Sequence, residues 1–396
     1  DALRKSKETI NALLFETEKA IPWGDEKPLL SRKAFDEECI KMGIEPPASL
    51  AKTDVDAQRW IRTHGHKYKW IESVTNWRRV NAIKKKLDSF EYATMPDNRY
   101  YGGIMYFGGH TGRFSGSGGN LNLQNLPRDE MFGVNMRNLI TAPKGRKLVV
   151  VDLSQIEVRT LCWLSKDKET MDAIQASDDI YEAFAIQFGL WSKEQGVLKK
   201  KDAKLRHKVK ALVLGCGYGA GAKRFAEMYD MPLEEAEEAV ELYRDRLHKV
   251  PRFWNNLDLR IKGAMDKRVL TLKLPSGRAM SYPNLQEIMN KGRASSFLCR
   301  INRNGQLRKM NLWGGVLAEN MSQALARDIF SHMMLEIDKA GIDIIFHVHD
   351  EVICECDEDK AEETLQKIIE IMSTPPEWIP DIPLDAEGEI LTKYQK

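Results

Sequence analysis

Asp152 and Asp350 sit in two extended runs of a 396-residue chain. Val149-Val150-Val151 sets three β-branched residues before Asp152, the pattern of a strand buried on both faces. Ile342 to Glu355 is a second extended stretch about 200 residues later, with Asp350 in its middle. A single acid after a strand usually caps a turn or a helix. Two acids meeting at one sheet edge would hold the ligands for two divalent ions about 3.5–4 Å apart, a geometry that activates an attacking oxygen and stabilises a leaving one. A cationic constellation lies between them. Arg206, Lys210, Leu214 and Tyr218 recur every four residues, which on an α-helix gives one slowly drifting stripe about 18 Å long. Two cations at its outer turns suit nucleotide phosphates, and the apolar Leu214 would lie against base and sugar. Gly215, Gly217 and Gly219 surround Tyr218, where the helix can bend or unwind.

The elements that would position these groups follow from periodicity and punctuation. Residues 1–45 are helical in pattern, with Ser31 a candidate cap and Pro46-Pro47 a stop. From Arg62 to Lys86 many cations meet one acid, Glu72, with Trp70 and Trp77 interleaved. Such a run is either a solvated helix face or a surface for duplex phosphates. Residues 100–119 are Gly-rich, and residues 233–264 read as acidic amphipathic helices. Arg268 to Tyr282 alternates around Pro275-Ser276-Gly277-Arg278, a hairpin signal. Lys291 to Lys309 is basic, with Asn304-Gly305 as a tight turn; a helix begins near Glu319, and residues 357–372 form another. Pro375-Pro376 opens what reads as an irregular tail. The acids Asp36 and Glu38 read as helix surface.

Bulk numbers exclude several classes. Net charge is +2, so attraction to nucleic acid must come from local patterning. Six scattered cysteines without C-x-x-C pairs suit a reducing compartment better than a disulfide framework or a zinc site. Nothing approaches the roughly 18–20 uninterrupted apolar residues of a membrane span.

These residues carry a resemblance to DNA polymerase family A. Asp152-Leu-Ser-Gln-Ile-Glu-Val-Arg159 resembles its motif A, His349-Asp350-Glu351 its motif C, and Arg206-x3-Lys210-x3-Leu214-Gly215-x2-Tyr218-Gly219 its motif B. Thr111-Gly112-Arg113-Phe114-Ser115 and Asn122-Leu123-Gln124-Asn125-Leu126-Pro127 match the stretches that lead into the palm. The motifs run in family order from about residue 70 to the C-terminus, with wording in the last third similar to phage members. The resemblance implies an α+β right-hand polymerase fold: an antiparallel palm sheet, helical fingers and a helical thumb. Residues 1–100 would hold an N-terminal helical segment and the thumb, and 101–160 the approach to the palm with motif A. Fingers would follow at 161–265, with the nucleotide helix at about 203–218, and 266–396 would close the palm.

It also implies roles. Asp152, Asp350 and the Leu153 carbonyl would hold two Mg²⁺ ions, for which Mn²⁺ can substitute; Glu351 would support the site or the primer end. Arg206, Lys210, Leu214, Tyr218, Gln155 and Tyr181 would face the dNTP, with Lys210 also catalytic. Glu157 would exclude a 2′-OH, with Arg159 holding it. Tyr181 stands where many relatives have His, and Leu214 where they have Phe or Tyr, so dideoxynucleotides should be poor substrates. Arg113, Gln124, Asn125, Gln323, Arg78, Arg79 and Lys84 would contact primer-template DNA; His349 would touch the primer terminus or serve as a turn histidine. The expected protein is a monomeric DNA polymerase without a proofreading exonuclease in this chain. It would need no membrane and would work in a cytoplasm, that of a bacterial host for a phage enzyme. Helicase and processivity partners are not specified. Two rivals share parts of the pattern: a single-subunit RNA polymerase and a non-catalytic DNA-binding module.

Overall fold

The computed structural model describes residues 2–24, 27–51, 54–117, 121–289, 296–303 and 306–395. The chain divides into two compact units. One comprises Asp1–Gly103, Gly116–Thr141 and Lys393–Lys396, and the other Ile104–Ser115 and Ala142–Thr392.

Four helices dominate the first unit: α1 (Ala2–Glu18), α2 (Arg32–Lys41), α3 (Val55–Gly65) and α4 (Lys69–Ala93). Ser31 caps α2, its hydroxyl accepting from Ala34 N. The basic run from Arg62 is therefore two helices, broken at residues 66–68. Its tryptophans point inward. Trp70 packs edge-on against Trp23 and Phe35, with ring centroids 5.8 and 5.3 Å away, and Trp77 lies against the same core. Ile10 and Leu14 of α1 meet Val80, Ile83, Leu87 and Phe90 of α4, together with Leu121, Leu126, Val134 and Met136.

The second unit is built on an antiparallel sheet. Its strands are β1 (Arg146–Leu153), β7 (Ile344–Val348), β8 (Glu351–Asp357) and β9 (Ala386–Leu391), in the order β9-β1-β8-β7. Val149, Val150 and Val151 are fully buried. That agrees with their reading as a strand covered on both faces. The stretch from Ile342 to Glu355 is a hairpin, two strands joined by a turn at His349-Asp350. A long helix, α12 (Gly314–Lys339), and α13 (Ala361–Ser373) share one apolar cluster with the β1 face of Val149, Val151 and Leu153. The tail is not irregular. Ala386–Leu391 pairs with β1, and Gly388 is required there by close approach: a Cβ would come within 2.6 Å of Val151 Cγ2 and 2.9 Å of Val150 O.

After β1 come α5 (Ile156–Leu164), α6 (Lys168–Gln175), α7 (Ile180–Gln187) and α8 (Ala203–Cys216), then α9 (Ala222–Tyr229), α10 (Leu233–Arg246) and α11 (Lys249–Gly263). They share a second apolar core with the hairpin β2 (Val269–Lys273)–β3 (Ala279–Pro283), which turns at Ser276-Gly277 as its sequence suggests. A three-stranded ribbon follows: β4 (Gln286–Ile288), β5 (Ser296–Arg303) and β6 (Gln306–Leu312). The Asn304-Gly305 turn lies outside the described residues. Helices with an antiparallel sheet make the fold α+β, as expected. No helix among the described residues is long and apolar enough to cross a membrane.

Candidate active site

The two carboxylates meet at one end of the β9-β1-β8-β7 sheet. Glu351 is the cross-strand partner of Asp152, and Leu153 N donates to Asp350 O at 3.1 Å. On the other side of β1, Glu387 is opposite Asp152. Asp350 itself sits in the turn, beside His349 with φ 57°. Gln155, three residues after Asp152, is also left-handed, at φ 52°. Non-glycine residues rarely adopt this region, and strained backbone collects at functional sites. Burial, and then the charge of Asp152, push the Asp350 carboxyl up to about 6; Arg113 pulls it the other way. A buried carboxylate raised by the charge of its neighbour is a donor that a hard divalent cation would relieve. No cluster of three or more His, Cys, Asp or Glu side chains suited to a metal occurs among the described residues.

Arg113 and Glu157 are near enough to act on the Asp350 carboxyl. Arg113 forms an ion pair with Glu157. Arg159 does not hold Glu157: it is buried, donating to Ser154 O (2.6 Å) and Pro383 O (3.1 Å) and pairing with Asp385 (3.5 Å). It therefore ties the turn after Asp152 to the strand-like tail. Tyr218 is half-buried, and burial followed by the nearby Glu157 charge raises its phenol. Gln323 on α12 bonds Glu319 at 3.3 Å.

Three of the four stripe residues are on α8, where Arg206 is part-exposed, Lys210 exposed and Leu214 42% exposed; the helix ends at Cys216, so Tyr218 lies in the turn after it. Asp202 caps the helix by accepting from Leu205 N. Tyr181 is not available to a phosphate. It is 1% exposed, its hydroxyl donates to Gln155 Oε1 at 2.6 Å, and burial pushes the phenol up to about 12. Its ring instead lies under the cations, 5.0 Å from the Arg206 guanidinium and 5.8 Å from Lys210 Nζ.

Sequence reasoning missed the partner of Arg206. Asp179 grips it twice, Oδ2 to Nε at 2.5 Å and Oδ1 to Nη2 at 3.1 Å, while also capping α7 through Tyr181 N. Its only local signal was its place before a helix. His110 was likewise unmarked; its Nε2 lies 2.8 Å from Asn320 Oδ1 on α12.

The remaining candidates belong to the first unit. Gln124 is buried with its Nε2 unpartnered among the described residues, and Asn125 is exposed, its carbonyl accepting from Lys86 Nζ at 2.9 Å. Lys84 pairs with Asp88 at 2.6 Å, Arg79 lies over Phe132, and Arg78 is part-buried.

Comparisons with known proteins bear on the family and the fold. The family described as DNA polymerase family A matches residues 31–396. A DNA polymerase of Bacillus phage SP02 is 28% identical over 366 residues, 80% of this chain and 55% of the relative. The thermostable DNA polymerase I of Thermus filiformis is 28% identical over 90% of this chain and 40% of its own length. This chain therefore spans about half the length of such relatives or less. Among solved structures, the POL domain of Pol1 from M. smegmatis, in complex with DNA primer-template and dNTP, superimposes with a TM-score of 0.75. It covers 99% of this chain and 66% of that one at 23% identity, a likeness of fold.

Proposed function

The chain belongs to DNA polymerase family A, and we propose that it extends a primer 3′-OH with dNTPs on a DNA template, releasing pyrophosphate. The observation that carries this reading is the meeting of Asp152 and Asp350 at one sheet edge, close enough for one charge to raise the other's proton affinity. Residues 161–265 would form the fingers, α4 part of the thumb, and the sheet the palm.

Asp152, Asp350 and the Leu153 carbonyl would hold two divalent cations, Mg²⁺ or Mn²⁺. When bound, such ions lower the pKa of the attacking hydroxyl and neutralise the leaving phosphates. Glu351, beside Asp152, would keep the pair's surroundings acidic and the primer end in place. Lys210 would meet the triphosphate directly, and Arg206 would join it by leaving Asp179. Leu214 would cover base and sugar. Tyr218 and Glu157 would wall the sugar, leaving no room for a 2′-OH, while Gln155 is braced by the Tyr181 hydroxyl. Arg113, Gln323 and His349 would line the minor groove at the primer end, where the acceptors of every base pair lie in similar places. Gln124, Asn125, Arg78, Arg79 and Lys84 would contact the duplex backbone. A soluble site in the cytoplasm, bacterial for a phage-encoded enzyme, and action as a monomer complete the reading.

Primer extension with each dNTP and rNTP tests it, with Asp152→Ala as control. Extension with dNTPs that falls about 10³-fold or more in the variant, with primer-template affinity retained, is the expected result. Undiminished turnover by Asp152→Ala would contradict the two-carboxylate assignment, and unprimed synthesis from rNTPs would favour an RNA polymerase.

A further inference from the structure

Residues 288–318 contain six cations, Lys291, Arg293, Arg300, Arg303, Arg308 and Lys309, and no carboxylate. The whole chain balances 60 basic against 58 acidic residues, so this stretch is a local departure, and the chemistry above does not use it. Its described part is the β4–β6 ribbon. Phe297, Cys299 and Leu312 anchor one face in the core. On the other face the register sets Arg300 directly opposite Lys309, and both are exposed. Like charges directly opposite destabilise an antiparallel pair. The nearest acid in sequence, Glu287, is exposed, but its register opposite Phe297 puts it on the other face from Arg300 and Lys309. Arg308 is opposite Ile301, on the anchored side of the ribbon; it too is exposed, with a 3.4 Å contact to Gln306. No ion pair to Arg300 or Lys309 occurs among the described residues.

A ribbon that keeps cations face to face without counter-charges is complementary to a row of anions. The eight residues of β5 span about 26 Å, most of a turn of B-form duplex. Phe297 is the sole aromatic residue between 286 and 312, and it is buried. The ribbon thus lacks the stacking platform that single strands require. Arg300 and Leu307 also line a cavity of about 470 Å³ with Gly108, Gly109 and His110. That loop runs on to Arg113, so the ribbon is continuous with the surroundings of the carboxylates.

We propose that the β4–β6 ribbon is a second duplex-DNA contact, in which Arg300 and Lys309 hold phosphates and extend the footprint beyond the catalytic cleft. The proposal rests on the polymerase reading for its biological setting, but its test does not.

The double variant Arg300→Gln, Lys309→Gln, in the full chain, is titrated with a blunt DNA duplex and with a single-stranded oligonucleotide from about 50 to about 300 mM KCl. For the duplex, the slope of log affinity against log salt should fall by about 2, near 0.9 for each lost contact. Affinity at about 100 mM KCl should drop tenfold or more. The charge-retaining variant Arg300→Lys, Lys309→Arg should keep the wild-type slope. An unchanged slope in the double variant overturns the proposal. So does an equal or greater loss for the single strand, or a charge-retaining variant that loses the slope as well, since the effect would then be structural. Failure of the wild type to extend primers would instead sink the polymerase reading and leave this binding result standing.

Discussion

At the scale of single residues, the tie between Arg206 and Asp179 is the most consequential contact. The pair is bidentate and only part-exposed, and it occupies the guanidinium that a triphosphate would need. Opening it costs about 0.2–1 kcal/mol for a pair in partial contact with water. Asp179→Asn separates the carboxylate's two tasks, because Asn caps a helix about as well as Asp but cannot neutralise Arg206. The dNTP KM should fall about two- to fivefold, with kcat nearly constant, in steady-state single-nucleotide insertion. A KM that rises would mean that the carboxylate orients the guanidinium instead of competing for it. None of this was legible in the sequence. The placing of Arg206, Lys210 and Leu214 on one helix face is set by the 3.6-residue period and can be read directly, although the helix ends before Tyr218. The partner of its first cation sits 27 positions earlier and is fixed only by the packing of α7 on α8. Tyr181 shows the same limit: its place in the sequence suggested a phosphate donor, while burial turned it into a brace for Gln155.

At the scale of elements, the strands with strong local signals were legible and the weak one was not. Three consecutive valines and a Gly-containing hairpin turn carry their own evidence. Ala386–Leu391, with two glutamates and a glycine, has little strand propensity; it becomes a strand by pairing with β1. This edge strand backs Asp152, since Glu387 is opposite Asp152 and Gly388 opposite Val151. Gly388→Ala would press a methyl group against Val151 Cγ2, Leu365 Cδ1 (2.7 Å) and the Val150 carbonyl. Side chains can give way, but a paired backbone carbonyl cannot do so cheaply. The cost should be about 1–3 kcal/mol. It would be seen as a drop of several degrees in the thermal midpoint, because 1 kcal/mol shifts Tm by about 2–4 °C in domains of this size. Extension activity should fall with it, as β1 is displaced at Asp152. An unaltered melting temperature would show that β9 is held too loosely to position β1.

For the molecule as a whole, near-neutral net charge means that stability against pH is governed by a few buried groups rather than by general repulsion. His347 is one of them. It lies on β7 at 4% exposure, with ring centroids 4.8 Å from Phe114 and 5.7 Å from Phe330, and its Nδ1 has no partner among the described residues. Burial, reinforced by the nearby His349, pushes its pKa down to about 4 from an unfolded value near 6.5. Between these values the unfolded chain binds the proton that the fold refuses. The contribution of His347 is therefore fully present above about pH 6.5 and is lost as pH falls toward 4, by at most about 3 kcal/mol. His347→Gln has no such proton to bind, and comparing it with the wild type cancels every other titrating group. The stability difference, wild type minus variant, should shrink or change sign steadily from pH 7 to pH 4 in denaturant titrations. A constant difference would mean that His347 reaches water in the folded state, and that the aromatic packing around it is looser than its burial implies.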